Sequence, residues 1–342
     1  MTAMRTEIGQ QPAALRATLD ALMPRGGEAA ALARDCRQVL FIARGTSDNA
    51  AVYGSYLLQA HAGMLATLAS PSIATEYHAR MDLSGVLAVA LSQSGATEEI
   101  VETLDWAREC GARTLAITNG GGSPLTQVAD VAFVTAAGAE LAVPATKTFT
   151  TQLAALAVLA IALGADLDPG LLWSVPDEIE RMLAAPPDMA PMVSELAGAS
   201  GVVVSGRGHA YAAALELALK LKEACYLHAM GLSWADLLHG PIAVVDAATP
   251  AIIVAADSGP ALPGSIELAR RVVAAGARAY AIGGGPGLAE ASSLAVPGPR
   301  LPEWLAPLGL IVPGQLLTEA LSRRLGIDPD SPRGLSKVTQ TA

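Results

Sequence analysis

The sequence predicts an α/β protein of two similar lobes, each a doubly wound parallel sheet with helices on both faces. Length is one observation behind this: 342 residues, 52% hydrophobic and 16% charged, suit two cores better than one. A second is that continuous apolar runs lead into Ala-rich helical stretches, the pattern of strands buried on both faces. The third is repetition. "VLFIARG" at 39–45 returns as "VVVSGRG" at 202–208, which puts Arg44 and Arg207 163 residues apart. "GVLAVALSQSG" and "PAIIVAADSG" follow in the two halves. Then come "GARTLAITNGGG" at 111–122 and "GARAYAIGGGP" at 276–286, whose starts are 165 apart. A near-constant offset through three strand–helix elements marks an internal duplication.

The elements follow in order. The N-terminal "MTAMRTEIGQQPAALRATLDAL" has no apolar segment followed by a small-residue cleavage site, so no secretory signal is visible and a cytoplasmic location is expected. After the first strand, Gly45 permits a tight turn, and Thr46 and Ser47 are expected to cap the next helix while presenting hydroxyls to a ligand. After the second apolar run, Ser92, Gln93, Ser94 and Thr97 surround Gly95 at the start of a helix whose first acids are Glu98 and Glu99. "LAALAVLAIALGA", Leu153 to Ala165, reads as a buried helix; its 13 residues fall short of the roughly 20 that cross a bilayer. "MLAAPPDMAP" at 182–191 breaks helical periodicity with three prolines. The expected division is therefore an N-terminal helix and first lobe over 1–185, a second lobe over 186–328 and a tail over 329–342.

Composition narrows the ligands. Acidic residues number 32 against 22 basic, a net charge of −10 with no basic run, which argues against nucleic acid. Cys36, Cys110 and Cys225 are scattered without CxxC spacing, so reduced thiols are expected rather than zinc or disulfides. No metal or cofactor is called for, and small molecules are the expected partners.

In an open parallel sheet the ligand crevice lies beyond the carboxyl ends of the strands, and both hydroxyl loops sit there. A helix N-terminus lined with hydroxyls can hold a phosphate without Lys or Arg, each charge-assisted bond contributing roughly 1.5–3 kcal/mol. Taken singly, each loop reads as an ordinary helix cap; two in one lobe favour a ligand. The second lobe has "ADSGP" where "SQSGAT" would stand and His209-Ala210 where Thr46-Ser47 would stand. Only the first lobe is expected to grip phosphate.

Chemistry-bearing residues cluster later. On "ALELALKLKEA", Glu216, Lys220 and Glu223 lie along one helical stripe, which by itself reads as a solvated face with an i,i+4 ion pair. His239 precedes Gly240-Pro241 and reads alone as a turn residue. Lys337 lies in a tail that would ordinarily fray.

The segments "GTS", "SQSGATEE", "ELAVPATKTFTTQ", "ALELALKLKEACYLHA", "LLHGP" and "PRGLSKVTQT" together resemble the sugar isomerase (SIS) family, in particular the isomerase half of glucosamine-6-phosphate synthase. The resemblance runs from about Glu7 to Thr341. It implies two tandem SIS lobes of flavodoxin-like topology, a hexosamine 6-phosphate substrate and a homodimer. Phosphate and sugar contacts fall on Gly45, Thr46, Ser47, Ser92, Gln93, Ser94, Thr97 and the Val143 backbone. Glu223 falls where the family places its C1–C2 base, and His239 where it places the ring-opening histidine, which can come from the neighbouring subunit. Lys337 falls on the terminal-loop lysine, and Lys220 matches a position close to the reacting carbons; either lysine could stabilise charge or form an imine.

The full synthase begins with a glutamine-hydrolysing domain bearing an N-terminal cysteine, whereas here the match starts at the helix before the first lobe. Asp236-Leu237-Leu238 also departs from the synthase's Glu-Leu-Lys before His-Gly-Pro. The ending "GIDPDSPRGLSKVTQT" looks like that of the stand-alone SIS-type glucosamine-6-phosphate deaminases. The expected reaction is thus isomerising deamination of glucosamine 6-phosphate to fructose 6-phosphate and ammonium. Alternatives are a related deglycase or isomerase on another hexosamine or glycated amino acid 6-phosphate, a synthase-like aminotransferase, and a non-enzymatic sugar-phosphate sensor.

Overall fold

The computed structural model describes residues 1–337; the expected tail, 329–342, thus lies partly outside the described residues. The duplicated α/β architecture is borne out. β1 (Gln38–Ile42), β2 (Leu65–Leu68), β3 (Val86–Leu91), β4 (Arg113–Thr118) and β5 (Val131–Val134) form one sheet in the order β2-β1-β3-β4-β5. β6 (Gly201–Gly206), β7 (His228–Ser233), β8 (Ala251–Ala255), β9 (Ala279–Gly283) and β10 (Leu294–Val296) form the other, ordered β10-β9-β8-β6-β7. Counted from its own first strand, each sheet has the same order. Every pairing is parallel, with Leu40 opposite Ala88 in the first sheet and Val204 opposite Ile252 in the second.

Central strands explain the unbroken apolar runs: β3, β6, β8 and β9 are buried at every position. Ile42, Val86, Ala88 and Ala90 pack with Ile100, Leu104 and Ala107 of the helix Glu98–Glu109. In the second sheet, Val203, Ala251, Ile253 and Ala281 pack with Leu268, Ala269 and Val272 of the helix Leu262–Ala274. These helices run back from the carboxyl ends of the strands, so strand-to-helix loops gather at one edge of each sheet.

The expected buried helix is real but displaced. It spans Lys147–Ala162, is buried from Lys147 to Ala160, and gives way to Gly164 at φ 94°. Its first turn was hidden by polar residues whose hydrogen bonds permit burial: Thr150 and Thr151 hydroxyls donate to the carbonyls of Lys147 and Thr148 at 3.0 and 3.1 Å. Residues 185–189, containing Pro186 and Pro187, separate the helices Ser174–Ala184 and Ala190–Leu196.

The chain forms two compact units. One holds Ala13–Glu140, Lys147–Trp173 and the segment from Ser336; the other holds Met1–Pro12, Leu141–Thr146 and Ser174–Leu335. Among the described residues no helix is long and apolar enough to cross a membrane.

Candidate active site

In the unit of the first sheet, β1 ends at Ile42 and leads through Ala43 into Arg44 and Gly45. Gly45 takes φ 56° and ψ −126°, a conformation that favours glycine, and serves as the N-cap of the helix Thr46–His61. No side chain caps that helix, which corrects the expectation that Thr46 and Ser47 would do so. Thr46 is already the first helical residue, and the buried Ser47 hydroxyl instead accepts a hydrogen bond from Gln152 Nε2 at 3.0 Å. A hydroxyl that accepts a bond retains its own proton to donate.

The β3 loop repeats that arrangement. The buried Ser92 Oγ accepts the Gly95 N–H at 3.2 Å and lies 3.4 Å from Thr97 Oγ1, while Ser94 Oγ accepts the Ala96 N–H at 3.2 Å. Thr97 is the N-cap of the Glu98–Glu109 helix by backbone position, again without a side-chain cap bond. Gly95 adopts φ 64°, and a β-carbon there would stand 2.1 Å from Ser123 Oγ, so only glycine fits. The Gln93 carbonyl accepts the Asn119 N–H at 3.1 Å. Across the two loops, Arg44 grips Glu99 through both carboxylate oxygens at 2.7 and 3.0 Å. The two loops thus follow neighbouring strands, with Ser and Thr hydroxyls fixed by the fold and an arginine already held by a carboxylate.

The same unit holds Lys337. Its Nζ lies 2.7 Å from Oε2 of Glu140, a carboxylate whose side chain is fully buried. Glu140 also accepts the Thr148 N–H at 3.1 Å and the Thr148 hydroxyl at 2.6 Å. Sequence reasoning missed Glu140, Thr148 and Gln152. All three lie in "ELAVPATKTFTTQ", where the signal was polar residues set in an apolar run.

In the other unit, the helix Ala210–Cys225 carries the remaining charged set. Lys220 Nζ stands 2.5 Å from Glu223 Oε2 and 3.3 Å from Glu216 Oε1. Glu216 and Lys220 are 0% and 1% exposed, so this is no solvated face. Burial by itself would drive the Lys220 ammonium toward its neutral form, but the charges and hydrogen bonds of Glu216 and Glu223 outweigh it and hold its pKa above the ordinary lysine value. A buried ion pair is poor value as a stability device because desolvation opposes it, so its presence points to chemistry.

His239 follows the short helix Trp234–Leu238, and Gly240 at φ 133° turns the chain into Pro241, as the turn signal implied. Its ring is exposed, and among the described residues it has no hydrogen-bond partner. The Val143 N–H donates to the Asp330 carbonyl at 3.0 Å, so a sugar contact there would use the Val143 carbonyl. Lys220, Glu223, His239 and Val143 belong to the second-sheet unit, and the hydroxyl loops and Lys337 to the first.

The second lobe's counterpart crevice is occupied by protein. Glu303 packs against Gly208 and Gly259 so closely that a β-carbon at Gly259 would stand 2.5 Å from its Cδ. Its Oε1 lies 3.7 Å from His209 Nδ1, and burial raises its pKa.

Known proteins align with these features. The family model for the SIS domain matches residues 32–162 and 195–292. The isomerizing glutamine–fructose-6-phosphate aminotransferase of Photorhabdus laumondii is 34% identical, over 98% of this chain and 58% of its own length. The chain therefore spans little more than half of that relative. Among solved structures, the C-terminal domain of glucosamine-fructose-6-phosphate aminotransferase from Francisella tularensis superposes with a TM-score of 0.84 at 27% identity, covering 97% of this chain and 98% of that one. Glucosamine-6-phosphate deaminase from Thermotoga maritima shares the fold, with a TM-score of 0.80 at 22% identity over 99% of this chain and 100% of that one.

Proposed function

The chain belongs to the SIS family, and from that premise we propose that it is a phosphosugar isomerase acting on an aminosugar phosphate, converting glucosamine 6-phosphate and water to fructose 6-phosphate and ammonium. The observation that carries this reading is the Lys220 ammonium, buried and set 2.5 Å from the Glu223 carboxylate. A carboxylate anchored beside a fixed cation can move a proton between adjacent carbons while the cation stabilises the charge that develops.

In this reading the 6-phosphate is held by Thr46, Ser47, Ser92, Gln93, Ser94 and Thr97 with the backbone at Gly45, through uncharged donors. Proton transfer at His239 opens the hemiacetal ring. Glu223 removes the C2 proton while the C1 oxygen gains the proton that the C2 ammonium gives up, and Glu223 then delivers its proton to C1, leaving an iminium at C2. The two lysines divide the remaining work by their environments. Lys220 lies between two carboxylates that hold it protonated, so it supplies charge. Lys337, whose side chain is partly exposed where that of Lys220 is buried, is the more accessible nucleophile. Its neutral amine adds to the C2 iminium and expels ammonia; water then hydrolyses the lysine imine to the ketone. The working unit is a homodimer in which His239 serves the neighbouring subunit's substrate.

The name of the Photorhabdus relative favours a second reading, amination of fructose 6-phosphate. Against it, the position where the synthase carries a lysine is Leu238, which packs against the buried apolar cluster that includes Val203, Leu237 and Val245. A coupled assay decides. Release of fructose 6-phosphate and ammonium from glucosamine 6-phosphate, exceeding release from galactosamine 6-phosphate, is expected. Turnover only from fructose 6-phosphate with an ammonia donor would establish the second reading, and tight binding without any turnover would point to a sensor.

A further inference from the structure

Nothing assigned to this chain explains why a carboxylate should be buried beneath its tail. Glu140 follows β5, its side chain is fully buried, and its bonds include those to the Thr148 N–H, the Thr148 hydroxyl and Lys337 Nζ. Thr148 lies in the first turn of the Lys147–Ala162 helix, where the N–H groups favour a negative partner. The carboxylate is therefore fixed by the helix start, and it also meets the Lys337 ammonium from the tail.

The same helix ties this pair to the hydroxyl loops. Gln152, which bonds Ser47 Oγ at 3.0 Å, is four residues after Thr148. Side chains at that spacing share a helix face with β-carbons about 5–6 Å apart. Asn119 makes a second tie: its N–H meets the Gln93 carbonyl at 3.1 Å and its Nδ2 meets the Gly138 carbonyl at 2.9 Å, two residues before Glu140. Lys337 is thus registered, through Glu140, to the loops that would hold the phosphate.

We infer that Glu140 is the positioning and proton-relay residue for Lys337. The inference rests on the reading of Lys337 as the imine-forming lysine. A carboxylate 2.7 Å from the ammonium is within direct proton-exchange distance of it and fixes where that nitrogen sits.

The protons balance. Glu140 takes one proton from the Lys337 ammonium, and the freed nitrogen pair forms a bond to C2. In the deaminating direction the departing nitrogen takes Glu140's proton, the lysine nitrogen gives up a second proton through Glu140, and the C2–N bond breaks, so that the two protons leave with that nitrogen as ammonium. With a ketose substrate the C2–O π pair moves to oxygen, which takes that proton. A second proton then passes from the lysine nitrogen through Glu140 to the oxygen, which leaves as water. In both cases Glu140 ends as a carboxylate and Lys337 as a protonated imine.

The test compares Glu140→Gln, Glu140→Asp, Thr148→Val and Lys337→Ala in the full chain. Readouts are turnover of glucosamine 6-phosphate across pH and borohydride trapping of fructose 6-phosphate on the peptide containing Lys337. Glu140→Gln is expected to lower kcat by about 100-fold with KM changed only a few-fold, and to make the rate climb with pH as solvent replaces the relay. Glu140→Asp should recover part of the loss, and Thr148→Val should lower kcat and trapping less than Glu140→Gln does. If Glu140→Gln does not fold, Glu140→Asp decides: an unchanged kcat, pH profile and adduct yield would overturn the inference. So would wild-type kcat and trapping in Glu140→Gln. Retained turnover or trapping in Lys337→Ala would instead remove the underlying reading of that lysine, whatever Glu140 does.

Discussion

Lys220 Nζ lies 2.5 Å from Glu223 Oε2, three residues along one helix, with the lysine buried and the glutamate partly exposed. The buried cation holds the carboxylate at one oxygen while the glutamate side chain keeps partial exposure, as the proposed proton transfer requires. Glu223→Gln is accordingly expected to keep sugar-phosphate binding while lowering C1–C2 exchange by about 10²–10⁴-fold. Solvent-deuterium incorporation at normal rates in that variant would take Glu223 out of the mechanism.

The hydroxyl loops should govern affinity. Ser47→Ala and Ser92→Ala each remove one donor to an anion, a loss of roughly 1.5–3 kcal/mol, or about 10–100-fold in Kd for fructose 6-phosphate by calorimetry. Gln152→Ala should weaken binding less, since it loosens Ser47 without deleting it. Equal affinity in all three variants would place the phosphate elsewhere.

Gly95→Ala is expected to fail in both stability and binding. The residue holds φ 64°, and the added carbon would sit 2.1 Å from Ser123 Oγ and 2.8 Å from Thr118 Oγ1. Strain and overpacking together should cost about 2–4 kcal/mol, read as a lowered denaturant midpoint.

Cys225 should report folding. Its thiol is buried, donates to the Thr318 carbonyl at 3.4 Å, and burial pushes its pKa from 9.0 to about 12. A thiol reagent at neutral pH should label Cys36 and Cys110, both partly exposed, well before Cys225. Unfolding frees the thiol to ionise above pH 9, whereas the folded protein resists until about 12, so this group's contribution to stability falls as pH rises through that window. Cys225→Ala should flatten that alkaline decline; an identical pH profile in the variant would show that the thiol is not responsible.

Much of this architecture is legible in the sequence because burial on both faces writes strands as unbroken apolar runs and duplication writes them twice. The hydroxyl loops are legible too, since Gly45 and Gly95 punctuate strand-to-helix turns. Two things escaped. Capping by Thr46 and Ser47 was expected because the helix is local, whereas the partner that claims Ser47 is Gln152, 105 positions away. Glu140 was passed over because a lone acid in an apolar stretch gives no periodic signal, and the lysine that gives it meaning is 197 positions downstream.

The internal repeat leaves one more mark. Gly208 and Gly259 stand 163 and 164 positions after Gly45 and Gly95, and Glu303 stands 163 after Glu140. Duplication would have handed the ancestor two equivalent berths for an anion, and in the later copy the chain's own Glu303 lies against those glycines. Each polypeptide should therefore saturate with a single molar equivalent of sugar phosphate, the later copy having been released from docking and left free to specialise in its charged helix.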